Sequence, residues 1–191
     1  MTSQGGFLQL LIGELSRHGI AYMVSGSVCS SLHGEPRATR DVDIVIVGAE
    51  DKVLDFVQSL GRDYYVSLDA VRDALARRTM FNVIDSRSGY KADFVIRKDR
   101  RFSREEFGRR RTTKIAGLDV WVTSPEDTIL TKLEWGKDSQ SEQQFRDALG
   151  VAVVQWDHLD RDYLRKWAKE LQVESSLEQL LRVAERRLDS K

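Results

Sequence analysis

The sequence predicts an α+β chain: a β-sheet core with helices, followed by an all-helical C-terminal portion packed on it. Short apolar runs at 20–24, 43–47, 80–85 and 91–97 read as strands, the last two with the clear period-2 alternation of that element. Stretches such as 7–18 and 50–60 carry apolar residues at helical spacing. From Ser124 onward only helical patterns occur, which sets the expected division at 1–123 and 124–191.

Size and composition fit this reading. A chain of 191 residues, 41% apolar and 31% charged, is one domain or one domain with an appendage. Thirty basic and thirty acidic residues leave zero formal net charge, so whole-chain charge gives no argument for nucleic acid and only local patches remain. No segment approaches the apolar run of a membrane span. The opening MTSQGG lacks a charged stretch followed by an apolar signal core, and a cytoplasmic location is expected. Cys29 is the only cysteine, which excludes an intrachain disulfide, and His18, His33 and His158 are too scattered for a zinc pattern. Cys29 reads as a small buried apolar residue and His33 as a structural or loop contact.

The elements follow in order. Phe7, Leu8, Leu10, Leu11, Ile12 and Leu15 form a helical stripe over 7–18 that Gly19 ends. A strand at 20–24 leads to Gly26-Ser27, a helix at 28–33 and a second strand at 43–47. An amphipathic helix at 50–60 ends at Gly61. A short strand at 64–67 and a helix at 69–78 come next. Strands at 80–85 and 91–97 are joined by SRSGY as a hairpin, and 110–115 with 118–122 make another around Ala116-Gly117. Ser124 is a good N-cap, Pro125 suits the first helical position, and Asp127 can reach back as in a capping box. That helix runs to about Trp135, with further helices at 141–155, 160–171 and 175–188.

The chemistry is concentrated in residues 25–47, SGSVCSSLHGEPRATRDVDIVIV. Asp41 and Asp43 are two apart at a strand entrance, so their side chains project to the same face. Two such carboxylates suit Mg²⁺, which takes oxygen ligands and commonly shares them with substrate phosphates. Gly26 permits close backbone approach, and Ser27 lies where a helix begins, a natural anion site. Arg37 and Arg40 add positive charge. Alone, D-x-D is more often a solvated strand entrance, and Gly-Ser is a common turn dipeptide. Their order favours function, provided a third carboxylate exists. Asp93 is the candidate, because in KADFVIR it sits inside a strand that otherwise wants burial, where an acid is costly unless paired or metal-bound.

Nine basic residues fall from Arg97 to Lys114, with Phe102 and Phe107 the only aromatic residues among them. Such a run is usually a solvated face. Its functional reading is a surface for a polyanionic acceptor such as RNA.

Four ordered motifs now stand together: G-S-x13-D-x-D-I, A-D-F-V-I, S-P-E-D with Lys132-Leu133 downstream, and F-R-D-A-L. Over roughly residues 20–155 they resemble the nucleotidyltransferase superfamily of polymerase-β-like fold, and most of all its AbiEii-type group, which includes toxin components of toxin–antitoxin systems. The resemblance implies a mixed, twisted sheet. It also implies that Gly26 and Ser27 hold the phosphates of a nucleoside triphosphate. Asp41 and Asp43 would be the metal-binding pair, with Asp93 as third carboxylate and acceptor of the attacking hydroxyl's proton. Two Mg²⁺ ions are implied, with Mn²⁺ as a substitute. Lys132 matches a lysine facing the triphosphate, and Asp147 a helical acid close to the site. Periodicity alone reads Lys132 as a surface lysine and Arg146-Asp147 as a solvated pair. Arg40 departs from the family's commonest form, in which Ser or Gly precedes the first aspartate.

The implied reaction transfers a nucleoside monophosphate to an acceptor hydroxyl. Three classes follow: a toxin-like transferase acting on tRNA or another macromolecule, with a cognate antitoxin as partner; a small-molecule transferase of the aminoglycoside type, for which Glu126, Asp127 and Glu134 would supply an acidic pocket; and a non-catalytic nucleotide-binding or antitoxin-like partner protein.

Overall fold

The computed structural model describes residues 3–139 and 141–190; Met1 and Thr2, within the stretch read for a signal sequence, lie outside them. In chain order the elements are α1 (Gln4–Arg17), β1 (Ala21–Ser25), α2 (Gly26–His33), β2 (Asp41–Val47), α3 (Glu50–Ser59), β3 (Tyr64–Tyr65), α4 (Leu68–Arg77), β4 (Met80–Asp85), β5 (Lys91–Ile96) and α5 (Arg101–Gly108). They continue as β6 (Arg111–Ile115), β7 (Leu118–Val122), α6 (Pro125–Ser139), α7 (Glu142–Val154), a 3-10 turn at Trp156–His158, α8 (Arg161–Leu171) and α9 (Glu174–Asp189). No helix among the described residues is long and apolar enough to cross a membrane.

The chain forms two compact units. One comprises the chain up to Ser25 together with Thr39–Val122, and the other Gly26–Ala38 together with the chain from Thr123 onward. The first differs from the division expected at 123/124, because the segment after β1 groups with the C-terminal helices. Local sequence pattern marks where helices begin and says nothing about which distant helices they pack on.

The sheet unit holds strands in the order β3-β4-β5-β2-β1-β7-β6. β2 runs parallel to β5 and β1 parallel to β7, while the other neighbours are antiparallel, so the sheet is mixed. One face is built from Val42, Ile44, Ile46, Phe81, Val83, Ala92, Phe94 and Ile96, all buried. Phe56 of α3 lies 5.3 Å from Phe94 between ring centroids, and Phe81 stacks on Phe94 at 5.2 Å. Each such side chain contributes about 1.5–3 kcal/mol by leaving water. Gly19 ends α1 at φ 62°, as its position in the sequence indicates. The β4–β5 turn closes on Asp85, whose carboxylate accepts the Arg87 amide at 2.9 Å and the Ser88 hydroxyl at 2.8 Å.

Among the local readings that change, two bear on the sheet unit. The second strand begins at Asp41, two residues before its apolar run, because backbone pairing with β5 extends through both aspartates. Inside the basic stretch lies α5, which charge density conceals: Phe102, Ser103, Glu106 and Phe107 form its buried stripe.

The helical unit packs α2 against α6 and α7. Gly34, just past α2, lies so close to α7 that an added Cβ would stand 2.6 Å from the Val151 amide nitrogen and 2.7 Å from the Gly150 carbonyl carbon. The His33 ring donates from Nε2 to the Thr123 carbonyl at 2.7 Å, and its own carbonyl accepts from Gln155 Nε2 at 2.9 Å. At the start of α6 the Asp127 amide donates to Ser124 Oγ at 3.1 Å, the expected cap. Asp127's side chain then departs from the capping box, accepting the Ser124 hydroxyl at 2.7 Å and the Tyr163 hydroxyl of α8 at 2.6 Å. Leu164, Trp167, Leu177 and Leu180 complete the core.

Candidate functional site

Each unit carries its own polar group. In the sheet unit the face opposite the aromatic core is crossed by a row of polar side chains. The register places Asp43 of β2 opposite Asp93 of β5 on one side and Ser25 of β1 on the other, and Asn82 of β4 opposite Asp93. Directly paired residues share a face, so the four line one row across four strands. Asp41 is one step away on the same face, opposite Lys91. Asp93 is buried, Asp43 half-buried and Asp41 exposed.

Lys91 and Asn82 are the additions that sequence reasoning missed. Lys91 Nζ lies 3.1 Å from Asp93 Oδ2 and 3.6 Å from Asp41 Oδ2, one ammonium bridging two of the three carboxylates. Asn82 donates its side-chain amide to Asp93 Oδ1. Desolvation works to lower the Lys91 pKa, but the hydrogen bond and charge of Asp93, with the charge of Asp41, prevail and raise it. Among the described residues no three carboxylate, histidine or cysteine side chains are gathered closely enough to cage a metal as they stand. The donors nevertheless suit a hard cation. They are carboxylate oxygens on adjacent strands, and a single positive group already reaches two of them.

In the helical unit, Gly26, Ser27, Arg37, Lys132 and Asp147 come together. The chain turns from β1 into α2 at Gly26 with φ 62°, a conformation open to glycine and costly for other residues. Ser27, the next residue, accepts a hydrogen bond on Oγ from Arg37 NH2 at 2.7 Å. The same guanidinium donates to both oxygens of Asp147, from Nε at 3.1 Å and NH2 at 3.0 Å. Lys132 Nζ and Gln143 Nε2 also donate to the Asp147 carboxylate, at 2.9 and 2.7 Å. Desolvation pushes the Asp147 pKa up, but the hydrogen bonds from Arg37, Lys132 and Gln143 and the Lys132 charge outweigh it and hold the carboxyl below its usual range. Lys132 is therefore a buried member of an ion cluster, neither the surface lysine that periodicity suggests nor one whose ammonium reaches solvent. Asp147 is its centre, not a solvated pair with Arg146, which bonds Glu142 instead.

The remaining candidates are placed as follows. Arg40 is exposed. Cys29 is fully buried, as expected of a small apolar residue. Glu126 is buried and accepts the Asp160 amide at 3.3 Å, and Asp127 is held by Ser124 and Tyr163, so neither lines an open acidic pocket. Within the basic run, Arg97 and Arg110 lie over the Phe107 ring at 5.9 and 4.4 Å, and Arg110 also over Trp121 at 4.9 Å. Phe102 and Phe107 are core residues, and the half-buried Arg97, Arg100 and Arg110 lie over their rings.

No family model matches the chain, and no curated protein matches it. Solved structures do match, and the fold they share with this chain is that of nucleotidyltransferases. A nucleotidyltransferase-like protein from Paracoccidioides brasiliensis aligns with TM-score 0.58 and 17% identity over 94% of this chain and 92% of that one. The antibiotic-resistance factor ANT(2'')-Ia in solution aligns with TM-score 0.56 and 12% identity over 98% of each chain. A crystal structure of ANT(2'')-Ia with adenylyl-2''-tobramycin aligns with TM-score 0.52 and 15% identity over 97% of this chain and 98% of that one. At these identities the likeness is one of fold.

Proposed function

We propose that the chain is a metal-dependent nucleotidyltransferase that moves a nucleoside monophosphate from a nucleoside triphosphate to an acceptor hydroxyl. The observation that carries this is the parallel register that sets Asp43 opposite Asp93, with Asp41 on the same face. In this reading Asp41, Asp43 and Asp93 hold Mg²⁺, two ions in full occupancy, with Mn²⁺ as a substitute. The metal would supply Lewis-acid stabilisation of charge on phosphoryl oxygens.

The chain's own residues do the rest. Gly26 and Ser27 present backbone amides at the start of α2 to a phosphate, and Arg37, oriented by Asp147, adds a charged donor beside Ser27. Lys132 fixes Asp147 and contributes positive potential. Arg40 is a further, exposed contact for the nucleotide. The acceptor oxygen attacks the α-phosphorus, the bond to the β-phosphate oxygen breaks, pyrophosphate leaves, and the hydroxyl proton passes to Asp93.

For the acceptor we propose tRNA or another RNA, in an AbiEii-like toxin acting in the cytoplasm with an antitoxin partner. The support is the four-motif sequence resemblance and the exposed cations Lys98, Arg101, Arg104 and Arg111. A small-molecule acceptor of the aminoglycoside class is the second reading, favoured by the stacking of Arg97 and Arg110 on aromatic rings, which thins the polyanion surface.

The test is incubation with each α-labelled triphosphate and Mg²⁺, offering total RNA, protein lysate and an aminoglycoside panel in parallel, with Asp43→Asn as control. Label transferred by the wild type and lost in the variant is the expected result. Labelled RNA selects the first acceptor and labelled drug the second. No label in any arm overturns the reading, and if nucleotide is still bound it leaves a nucleotide-binding partner protein.

A further inference from the structure

We propose that Lys91 is a built-in counter-cation of the carboxylate face: it holds Asp41 and Asp93 together and competes with a divalent metal for them. This rests on the reading of Asp41, Asp43 and Asp93 as metal ligands.

Backbone pairing dictates the placement. Lys91 is the direct β5 partner of Asp41 and precedes Asp93 by two residues, so all three side chains leave the sheet on one face. Its ammonium reaches Asp93 at 3.1 Å and Asp41 at 3.6 Å with the lysine side chain only 32% exposed. An isolated surface pair of this kind would carry little energy. Here the setting differs, because the Asp93 side chain is only 11% exposed, so its charge is screened poorly and the ammonium that neutralises it is held in place.

A divalent ion that is to bind both Asp41 and Asp93 must displace this ammonium. The protein alone therefore binds metal weakly. A triphosphate changes the balance, since its oxygens offer the displaced ammonium a new partner and the metal further ligands. Metal and nucleotide binding become coupled through one lysine, and the coupling is reciprocal.

The experiment is Mn²⁺ titration of the full chain, by calorimetry and by the paramagnetic signal of free Mn²⁺, with and without a non-hydrolysable α,β-methylene triphosphate. Lys91→Gln is expected to bind Mn²⁺ about tenfold tighter than wild type without nucleotide, the scale of one unit charge removed at 3–4 Å in a partly screened site. Lys91→Arg keeps the charge and is expected to show no tightening. With the triphosphate analogue present, the gap between wild type and Lys91→Gln is expected to shrink. A thermal melt provides the second readout: metal-free Lys91→Gln melts below wild type, and Mn²⁺ raises it by more. A merely structural lysine would lower stability without tightening metal. Equal or weaker Mn²⁺ binding by Lys91→Gln overturns the role of Lys91 and leaves the metal reading standing. Failure of wild type and both variants to bind Mn²⁺ in either arm overturns the metal reading and this one with it.

Discussion

Lys132 Nζ lies 2.9 Å from Asp147 Oδ2, with the two side chains 3% and 4% exposed. Removing one partner of a buried pair strands the other's charge, and the two directions are unequal here. Asp147→Ala leaves Lys132 and Arg37 facing each other without their carboxylate and is expected to cost about 3–5 kcal/mol. Lys132→Met leaves Asp147 still held by Arg37 and Gln143, and about 1–3 kcal/mol is expected. Urea denaturation of both variants checks the order; equal costs would show that Arg37 and Gln143 do not share the load.

Acid should act through the same carboxylate. Asp147 has a folded-state pKa below its ordinary value, so its stabilising contribution is fully present above the unfolded value, about 3.9, and is lost as pH falls through the folded one. Asp85 behaves alike: desolvation raises its pKa, but the Arg87 amide and guanidinium and the Ser88 hydroxyl prevail and lower it. Stability measured from pH 6 downward is expected to fall below about pH 4, and the fall is expected to be shallower in Asp147→Asn.

Two glycines make a paired test of packing. Gly34→Ala places a methyl within 3.0 Å of backbone atoms of Val151, Gly150 and Ser30, none of which can rotate away. Overpacking of this kind costs about 1–3 kcal/mol. Gly13, inside α1, would meet nothing within 4 Å, and Gly13→Ala is expected to stabilise by about 0.5–1 kcal/mol through helix propensity. Opposite shifts in melting temperature confirm the contrast.

The carboxylates should separate by role. Asp43→Asn is expected to reduce label transfer from an α-labelled triphosphate by about a hundredfold or more, on the scale of losing one electrostatic group at a reacting centre. Asp93→Asn is expected to retain nucleotide binding, measured by fluorescence titration of a labelled analogue, while losing turnover. Normal turnover in Asp93→Asn would remove that residue from the chemistry.

Much of the sheet was legible because strand alternation and turn residues are local signals: 80–85 was read with the bounds it has, and 91–97 ran one residue past β5. Helix α5 was hidden because its stripe holds two polar residues beside Phe102 and Phe107, and the surrounding arginines mask the period. The carboxylates Asp41, Asp43 and Asp93 could be named from strand position. Lys91 could have been named too, since it shares Asp93's side of the strand, but its charge suited a solvent-facing strand start. Asn82 and Gln143 left no such trace. Their partners are set by register between strands and by a helix turn facing Asp147, and neither is written in a single segment.

The grouping of Gly26–Ala38 with the C-terminal helices carries a consequence for synthesis. Arg37 and Asp147 are 110 residues apart, and His33 and Thr123 are 90 apart. At about 5–20 residues per second, α2 emerges from the ribosome roughly 5–20 seconds before the helices that complete its packing. A segment that waits so long with an unpaired apolar face is exposed to aggregation. Its spelling, GSVCSSLH, shows how that hazard is kept small: three serines are interspersed with Val28, Cys29 and Leu32. The segment that awaits its partners longest offers little to stray contacts meanwhile.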